Sequence, residues 1–284
     1  MQLNQDILKA FIELALKEDV GDGDHTSLST IPAGQQGAAQ LIIKDEGVLA
    51  GVDVALAIFR TIDPGLKVEV LLEDGTRVRY GDIGMYVSGS VHSILVAERL
   101  VLNIMQRMSG IATTTYHIVK LLADTGTKVL DTRKTTPGLR YFEKLAVKIG
   151  GGENHRFGLF DMILIKDNHV DYAGGTARAI DAAKTYLSAK HIQIPIEIEV
   201  RNLLEVEEVL RVGGVDRILL DNFDYPHLKE AVELIDGRFI TEASGGITEE
   251  NVVEFAKCGV DYVSMGALTH SFKSLDMSLK AIKE

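Results

Sequence analysis

A cluster of five basic or ionisable side chains occupies a short part of this chain, at the ends of two predicted strands and in the loop between them. The members of this cation cluster are Arg133, Lys134, His155, Arg156 and Lys166. The chain of 284 residues has a formal net charge of −11, so a local excess of positive charge needs a specific cause. Such side chains bind carboxylates and phosphates through charge-assisted hydrogen bonds. The cluster therefore predicts a small polyanionic substrate.

Acidic residues occur where a buried strand should be apolar. In the predicted strand IEIEV, the alternation puts Glu197 and Glu199 on the same face. Asp221 opens the loop after the next predicted strand. A buried charge needs a partner or a metal ion, and the pair Glu199 and Asp221 is suited to hold Mg²⁺, directly or indirectly, or to bind sugar hydroxyls. A salt bridge to Lys166 or Arg133 is an alternative that is compatible with these roles.

Two glycine-containing turns follow the last two predicted strands. They read SGGIT and SMGAL, and each joins a strand to a predicted helix. Glycine lets backbone N–H groups approach an anion, and a helix N-terminus adds partial positive charge. The candidate phosphate ligands are Ser244, Gly245, Gly246, Ser264 and Gly266. With the acids and the cation cluster they predict a phosphorylated sugar beside a carboxylated ligand, and a pair of ordinary tight turns is the alternative.

Six apolar strand candidates alternate with amphipathic helices in the second part of the chain. The candidates are residues 128–130, 162–165, 196–200, 217–220, 239–241 and 262–265. This pattern favours a parallel sheet in an α/β barrel or partial barrel, with an open doubly wound sheet as the alternative. The lack of a G-x-G-x-x-G segment after the first strand disfavours a dinucleotide-binding unit. In βα barrels the active site lies at the carboxyl ends of the strands, where the polar residues described above occur.

Residues 1–110 follow a different pattern, in which an amphipathic N-terminal helix precedes short strands. The strand candidates are residues 38–44, 47–50, 66–71 and 84–91. Turn signals separate them, which predicts an α+β region. A long helical stretch over residues 93–122 follows, with Ser109-Gly110 as a candidate break.

The composition excludes several function classes. A net negative charge disfavours bulk nucleic-acid binding, which uses a basic face. No apolar run reaches the roughly 18 residues that a membrane-spanning helix needs, and the N-terminus lacks a signal-like apolar core. The single cysteine, Cys258, excludes an intrachain disulfide and has no nearby base that would activate it as a nucleophile. We therefore expect a soluble, cytoplasmic protein without a nucleic-acid or membrane partner.

Several segments carry a family resemblance. In chain order they are EDVGDGDHTS, AERLVLNIMQRMSGIATTT, DTRKTTPGLR, GGGENHRFGLFDMILIKDNH, IEIEV, LLDNF, EASGGI and VSMGAL. The series resembles the motifs of the quinolinate phosphoribosyltransferases, also called carboxylating nicotinate-nucleotide pyrophosphorylases. It covers nearly the whole chain, and its longest motif is highly specific. One departure is His25-Thr26-Ser27, where the family often has Leu or Ile followed by two threonines.

The resemblance implies a fold and a reaction. The fold is an N-terminal α/β sandwich domain, residues 1–110, with a C-terminal helix at about 270–284 packed back on it, and an incomplete TIM-like α/β barrel, residues 111–269, that carries the active site. The reaction is a pentosyl transfer from phosphoribosyl pyrophosphate to quinolinate, with Mg²⁺ as cofactor. Its products are nicotinate mononucleotide, pyrophosphate and CO₂, in de novo NAD biosynthesis. The family works as homodimers with shared active sites, or as multiples of such dimers.

The resemblance also implies roles for individual residues. Those implied to grip the quinolinate carboxylates are Arg133, His155, Arg156 and Lys166. The other implied substrate-binding residues are Thr132, Lys134 near the diphosphate, Glu199 and Asp221 at the ribose and its metal, and the five candidate phosphate ligands at the 5′-phosphate. The implied catalytic residues are Lys134, Lys166, Glu199 and Asp221. Arg99, in the long helix, would enter the site of the neighbouring subunit, and a surface salt bridge is the alternative interpretation of the pair Glu98 and Arg99.

Three other functions stay open from the residues alone. A class I aldolase would use Lys166 to form a Schiff base, which borohydride trapping with a carbonyl substrate would reveal. A molybdenum-transport-associated relative would keep the fold with different ligands. A non-catalytic phosphosugar-binding module would bind without turnover, although the intact acid pair argues against it. Formation of nicotinate mononucleotide from quinolinate, phosphoribosyl pyrophosphate and Mg²⁺ would discriminate among these functions.

Overall fold

The computed structural model describes residues 4–282. The helices are α1 Gln5–Asp19, α2 His25–Thr30, α3 Val52–Ile62, α4 Val91–Leu121, α5 Arg140–Ile149, α6 Asp167–Ala173, α7 Thr176–Lys190, α8 Leu203–Val212, α9 Tyr225–Ile235, α10 Val252–Lys257 and α11 Ala267–His270. The strands are β1 Gln36–Ile43, β2 Gly47–Val48, β3 Lys67–Val70, β4 Arg77–Val78, β5 Ile83–Ser90, β6 Lys128–Leu130, β7 Ile163–Ile165, β8 Ile196–Val200, β9 Arg217–Asp221, β10 Ile240–Ser244, β11 Tyr262–Ser264 and β12 Met277–Ala281.

The chain divides into two compact units. Unit 1 comprises Met1–Tyr116, Thr136–Gly151 and Ser271–Glu284, and unit 2 comprises His117–Thr135 and Gly152–His270. The predicted boundary after residue 110 lies inside α4, and α5, which the sequence analysis assigned to the barrel, belongs to unit 1. Its contacts explain this placement, because the ring of Phe142 packs against Phe11 of α1, and the hydroxyl of Tyr141 accepts a hydrogen bond from the backbone N–H of Asn4 at 2.7 Å.

An antiparallel sheet forms the centre of unit 1. Its strand order is β12-β1-β5-β3, and β2 pairs with β4 in a separate ladder. In β1 the side chains of Ala39, Leu41 and Ile43 are buried and alternate with more exposed neighbours, which is the pattern of a strand covered on one face. Helix α3 contacts both β3 and α1 and buries Ile58 and Phe59 completely. This packing of helices and an antiparallel sheet confirms the predicted α/β sandwich.

The C-terminal segment is a strand, and the prediction of a helix at about 270–284 is wrong. Strand β12 pairs with β1 in antiparallel register, with Leu279 opposite Leu41. Its buried side chains, Met277 and Leu279, are two residues apart, so the apolar period is that of a strand. The segment still joins unit 1, as the edge strand of its sheet. Residues 283–284 of the predicted helix lie outside the described residues.

Helix α4 runs without a break through Ser109-Gly110, where the sequence analysis placed a candidate break. Gly110 serves close packing instead, because a Cβ atom at this position would overlap the backbone carbonyl of Lys273. The hydroxyl of Ser109 is satisfied by donating to the carbonyl oxygen of Ala50 at 3.1 Å. Neither α4 nor any other helix within residues 4–282 is long and apolar enough to cross a membrane.

A six-stranded parallel sheet forms the centre of unit 2 and positions the candidate site. Its order is β6-β11-β10-β9-β8-β7, so β7 to β11 are neighbours in the sheet in sequence order, and β6 pairs with β11. Within the described residues β6 and β7 do not pair, which leaves the barrel open at that point. This arrangement confirms the predicted incomplete α/β barrel. Because the strands are parallel, their carboxyl ends meet at one edge.

The contact at Gly110 predicts the effect of adding a single methyl group. Gly110→Ala should lower the free energy of unfolding by about 2 kcal/mol, because overpacking against a rigid backbone outweighs the helix-propensity gain of about 1 kcal/mol. Urea denaturation followed by circular dichroism measures this difference. The control is Thr185→Ala on the exposed side of α7, which should change stability by less than about 0.5 kcal/mol. A Gly110→Ala protein as stable as the wild type would contradict this account.

Candidate active site

The predicted polar residues of unit 2 converge at the carboxyl edge of its parallel sheet. Each of the six strands has at least one of them within two residues of its carboxyl end. In strand order these residues are Thr132 to Lys134 after β6, Lys166 after β7, Glu199 near the end of β8, Asp221 at the end of β9, Ser244 at the end of β10 and Ser264 at the end of β11. The parallel sheet thus brings together residues that are far apart in the sequence.

Lys166, Glu199 and Asp221 form a compact charged group at this edge. The Nζ atom of Lys166 lies 2.9 Å from Oε2 of Glu199, so the salt bridge considered as an alternative for Glu199 is formed. Burial, followed by the negative charge of Glu199, raises the pKa of Asp221, and the positive charge of Lys166 opposes this shift. Two carboxylates and one ammonium group therefore lie within electrostatic reach of one another. Carboxylate oxygens are the ligands that Mg²⁺ prefers, so the donor set fits that ion.

Two arginines of the cation cluster lie near each other. Burial and the positive charge of Arg133 lower the pKa of Arg156, a direction that reports repulsion between the two guanidinium groups. Arg156 is partly buried and donates from Nη1 to the carbonyl oxygen of Met162 at 3.1 Å, which holds its side chain against the strand before Lys166. An anion placed between two such groups would relieve their repulsion. The pair is thus suited to bind a carboxylate.

His155 lies between the backbone of Arg156 and the buried carboxylate of Glu197. Its Nδ1 atom accepts a hydrogen bond from the backbone N–H of Arg156 at 2.8 Å, so Nδ1 carries no proton. Its Nε2 atom lies 2.8 Å from Oε2 of Glu197, and an imidazole with a bare Nδ1 donates from Nε2. Both ring nitrogens therefore have hydrogen-bond partners within the protein. The role of His155 in gripping a substrate carboxylate stays a prediction.

Beneath the site lies a buried charged layer that the sequence analysis did not select as functional. Glu197 and Glu242 are both completely buried. Arg217 donates from Nη1 to Oε2 of Glu242 at 2.7 Å, and its guanidinium lies over the ring of Tyr262. Burial, and then the charge of Glu197, raises the pKa of Glu242 to about 7. The strand alternation carried the signal, because Glu197 shares a face with Glu199, and Glu242 with Ser244.

Lys134 lies at the second glycine turn. Its backbone N–H donates to the hydroxyl of Thr132 at 3.0 Å, and its carbonyl oxygen accepts from the hydroxyl of Thr269 at 2.9 Å. A Cβ atom at Gly266 would lie 2.9 Å from Cδ of Lys134, so glycine leaves room for the lysine side chain. The structure thus brings Lys134 to the turn that contains Ser264 and Gly266.

The first glycine turn differs from the prediction in one respect. Gly245 and Gly246 have φ values of +98° and +62°, which glycine adopts without strain. A Cβ atom at Gly245 would overlap the side chain of Asn222, whose backbone N–H donates to the carbonyl oxygen of Ser244 at 2.9 Å. Helix α10 begins only at Val252, so this turn does not open a helix. The second turn does, since α11 starts at Ala267, directly after Gly266.

Arg99 lies on the surface of unit 1, on helix α4. Its side chain is exposed, and no ion pair to Arg99 forms among residues 4–282. The alternative interpretation, a surface salt bridge for Glu98 and Arg99, therefore receives no support from the described part of the chain.

Comparison with known proteins identifies the family. The family model described as quinolinate phosphoribosyl transferase, N-terminal domain, matches residues 24–109, and the model for the C-terminal domain matches residues 111–280. The chain belongs to the quinolinate phosphoribosyl transferase family. A relative from Arabidopsis thaliana, named nicotinate-nucleotide pyrophosphorylase [carboxylating], chloroplastic, is 50% identical over 290 residues, which is 96% of this chain and 82% of the relative.

Other members of the family agree in sequence and in structure. A Bacillus subtilis protein named probable nicotinate-nucleotide pyrophosphorylase [carboxylating] is 42% identical over 276 residues, which is 96% of this chain and 92% of that protein. The crystal structure of NadC from Streptococcus pyogenes matches with a TM-score of 0.93 at 40% identity and covers all of both chains. Membership of this family removes the class I aldolase as an interpretation of Lys166.

The buried acids of this family member make its stability depend on pH. The pKa of the Glu242 carboxyl group is raised from about 4.5 in the unfolded chain to about 7 in the folded protein, so the folded protein keeps this proton up to a higher pH. At low pH this preference adds about 3 kcal/mol to the free energy of unfolding, and that stabilisation is lost as the pH rises from about 4.5 to 7. Glu242→Gln should lose less stability than the wild type across this window. Urea denaturation at pH 5 and pH 7 measures both slopes, with exposed Glu254→Gln as control, and equal slopes for all three proteins would rule out this explanation.

Proposed function

We propose that this protein transfers the phosphoribosyl group of phosphoribosyl pyrophosphate to quinolinate and releases nicotinate mononucleotide, pyrophosphate and CO₂, as a step of de novo NAD biosynthesis. The observation that carries the proposal is the group of Lys166, Glu199 and Asp221 beside the arginine pair, at the carboxyl edge of a barrel in a chain of this family. The direct test is to incubate the protein with both substrates and Mg²⁺ and to measure the mononucleotide by chromatography.

Quinolinate carries two adjacent carboxylates, which match the cations at the strand ends. Arg133 and Arg156 would bind one carboxylate between their guanidinium groups, and Lys166 would meet the other. The pyridine nitrogen then attacks the ribose carbon as pyrophosphate leaves. The substrate supplies the nucleophile, so the protein needs no Ser-His or Cys-His pair. Positioning of the two substrates is therefore the main task of these side chains.

The acids Glu199 and Asp221 would act on the sugar. Positive charge develops on the ribose ring as the bond to pyrophosphate breaks, and preorganised carboxylates beside the ring stabilise that charge. The same two residues would hold Mg²⁺, directly or through water, and the ion when bound would neutralise negative charge on the diphosphate. Lys134, at the second glycine turn, would bind the diphosphate as well, with Thr132 holding the backbone of this lysine.

The two glycine turns would receive the 5′-phosphate of the ribose. The proposed ligands are the side chains and backbone of Ser244, Gly245, Gly246, Ser264 and Gly266. The positive φ values of Gly245 and Gly246 let successive backbone N–H groups of the first turn point toward the same anion.

After the transfer, the nitrogen of the pyridine ring is cationic and draws the electron pair of the adjacent carbon–carboxylate bond into the ring. CO₂ then leaves, and a proton from water replaces it.

We further propose a homodimer with shared active sites, or a multiple of such dimers. Large apolar side chains are exposed near the open edge of the barrel, among them Leu159, Phe160, Tyr172 and Tyr186. Beside them lies a cavity of about 430 Å³ lined by residues such as Met162 and Ala179. An exposed apolar surface of this kind is typical of an association site.

We also propose a cytoplasmic location for this protein, although plant relatives are named chloroplastic or mitochondrial.

Substrate choice tests the assignment of the cation cluster. Nicotinate has one carboxylate, so its binding should leave a cation unpaired in a partly desolvated site. We expect quinolinate to be preferred by at least about 100-fold in kcat/KM, which corresponds to roughly 3 kcal/mol for one lost charge-assisted contact. Steady-state kinetics with each acid measures the ratio. Comparable turnover of nicotinate would show that the cluster has another role.

Replacement of the acids tests their proposed action on the sugar. Glu199→Ala and Asp221→Ala should each lower kcat by about 100-fold or more, since the lost interaction belongs to the transition state. Their effect on quinolinate affinity should be smaller. Calorimetric titration with quinolinate and steady-state kinetics separate the two quantities. A variant that keeps its kcat and loses only affinity for quinolinate would contradict the proposed role.

Mixing two inactive variants tests the shared site. If Arg99 acts in the site of a neighbouring subunit, Arg99→Ala mixed with Lys166→Ala should recover activity. One site of the mixed dimer then combines an intact Arg99 with an intact Lys166, while the other site lacks both. Light scattering and a tag-exchange assay establish that subunits associate and exchange. No recovered activity after demonstrated exchange would exclude a shared site that depends on Arg99.

A further inference from the structure

The loop that carries Arg156 is fixed to the end of β6 by hydrogen bonds. Asp131 is completely buried, and its carboxylate accepts from the backbone N–H of His155 at 2.9 Å and from Nδ2 of Asn154 at 2.6 Å. The backbone N–H of Asp131 in turn donates to the carbonyl oxygen of Glu153 at 3.2 Å. These hydrogen bonds fix the main chain of residues 153–155 to Asp131, directly after β6. The next residue, Arg156, depends on a different contact.

That contact is the imidazole ring of His155. Since a backbone N–H always donates, the 2.8 Å contact from the N–H of Arg156 assigns Nδ1 as an acceptor. The proton of the neutral ring must then lie on Nε2, which donates to Oε2 of Glu197 at 2.8 Å. One tautomer satisfies both contacts at once. Glu197 thus selects the form of the ring that can hold the main chain of Arg156.

The surroundings of Glu197 support a hydrogen-bonding role and argue against a metal site. His155, Glu197 and Glu242 have ligand atoms within 4.8 Å of one another, which by residue type would suit a cation. Arg217, however, already places a guanidinium nitrogen 2.7 Å from Glu242 and another 3.9 Å from Glu197. A second cation in this buried space would be repelled. Arg217 therefore already supplies a cation to both acids, and Glu197 keeps an oxygen that accepts from the ring.

We propose that Glu197 and His155 are positioning residues for the phosphoribosyl transfer: Glu197 holds the ring of His155 as the Nε2–H tautomer, and Nδ1 of that ring fixes the main chain of Arg156, whose guanidinium meets a quinolinate carboxylate. The identity of the ligand that Arg156 binds rests on the proposed function. The tautomer of His155 does not depend on it. The ring supplies geometry and no charge. The glutamate acts on the substrate only through two other residues.

The tautomer is tested without any substrate. In protein labelled with ¹⁵N-histidine, NMR distinguishes a bare ring nitrogen from a protonated one, and the His155→Asn variant identifies the resonances of His155. We expect a bare Nδ1 and a protonated Nε2 in the wild type. Glu197→Gln, whose amide oxygen still accepts from Nε2, should keep this pattern, and Glu197→Ala should show a mixture of tautomers. Two protonated nitrogens in the wild type would overturn the proposal.

Kinetics tests the consequence for Arg156. Glu197→Ala should raise KM for quinolinate roughly tenfold, the effect of one lost hydrogen bond, with KM for phosphoribosyl pyrophosphate changed by less than about twofold. Glu197→Gln should restore most of this loss. His155→Asn, whose amide oxygen still reaches the N–H of Arg156, should be less impaired than His155→Gln, which loses that acceptor. Glu254→Ala, an exposed glutamate paired with Lys257, is the control and should match the wild type.

The outcomes separate this inference from the proposed function. A wild-type protein that makes no nicotinate mononucleotide refutes the function, whereas the tautomer is still judged by NMR. A fully active wild type in which Glu197→Gln is as impaired as Glu197→Ala, with equal thermal stability, refutes the positioning role. If Glu197→Ala does not fold, the two His155 variants test the proposal instead. Equal KM values for quinolinate in His155→Asn and His155→Gln would then count against it.

Discussion

Carboxylates buried inside the parallel sheet constrain how every charge of this site is arranged. An ionised group in such surroundings is expensive unless it is paired and hydrogen-bonded. Glu242 is paired with Arg217, Glu197 accepts from His155, and Glu199 binds Lys166. These contacts fix Arg217, His155 and Lys166 relative to the buried acids.

This compensation divides the site into two layers. Glu242, which is buried, and Arg217, which is mostly buried, form an inner layer in which they pair with each other. Lys134 and Arg133 are exposed at the strand ends, and the side chain of Lys166 is about half exposed, so the outer layer can meet a ligand. A rigid inner layer that orients an accessible outer one is the arrangement that a positioning mechanism requires. It suits a reaction in which the substrate supplies the nucleophile.

Depth along a strand, rather than residue type, separates the two glutamates of β8. Glu197 and Glu199 project from the same face, but Glu199 lies one pleat closer to the carboxyl end and pairs with Lys166 and not with the inner layer. Within electrostatic reach of Asp221, it is placed to act on a ligand. The same residue type therefore serves as a structural acceptor at one level and as a candidate catalytic acid at the next.

The sequence alone determined the elements and the location of the site. Apolar strands followed by polar residues, and helices with regular apolar spacing, are local patterns, so the barrel strands, strands β1, β2, β3 and β5 of unit 1, and the strand-end residues were predictable. The resemblance of the motifs specified the family. Local patterns failed at Gly110 and at the C-terminal segment, because the reason for each lies elsewhere in the chain: the backbone of Lys273 in one case and pairing with β1 in the other.

Only the tertiary structure decided the charge state and the partners of the site. The sequence places His155 in the cation cluster, and the fold adds that Glu197 and the backbone of Arg156 contact its two ring nitrogens. Glu242 lies near the end of β10, and its burial beside Glu197 raises its pKa to about 7. Hydrogen-bond partners and burial depend on residues that are distant in sequence and adjacent in space. Residue type sets what a side chain is able to do, and the fold selects which of those roles it performs.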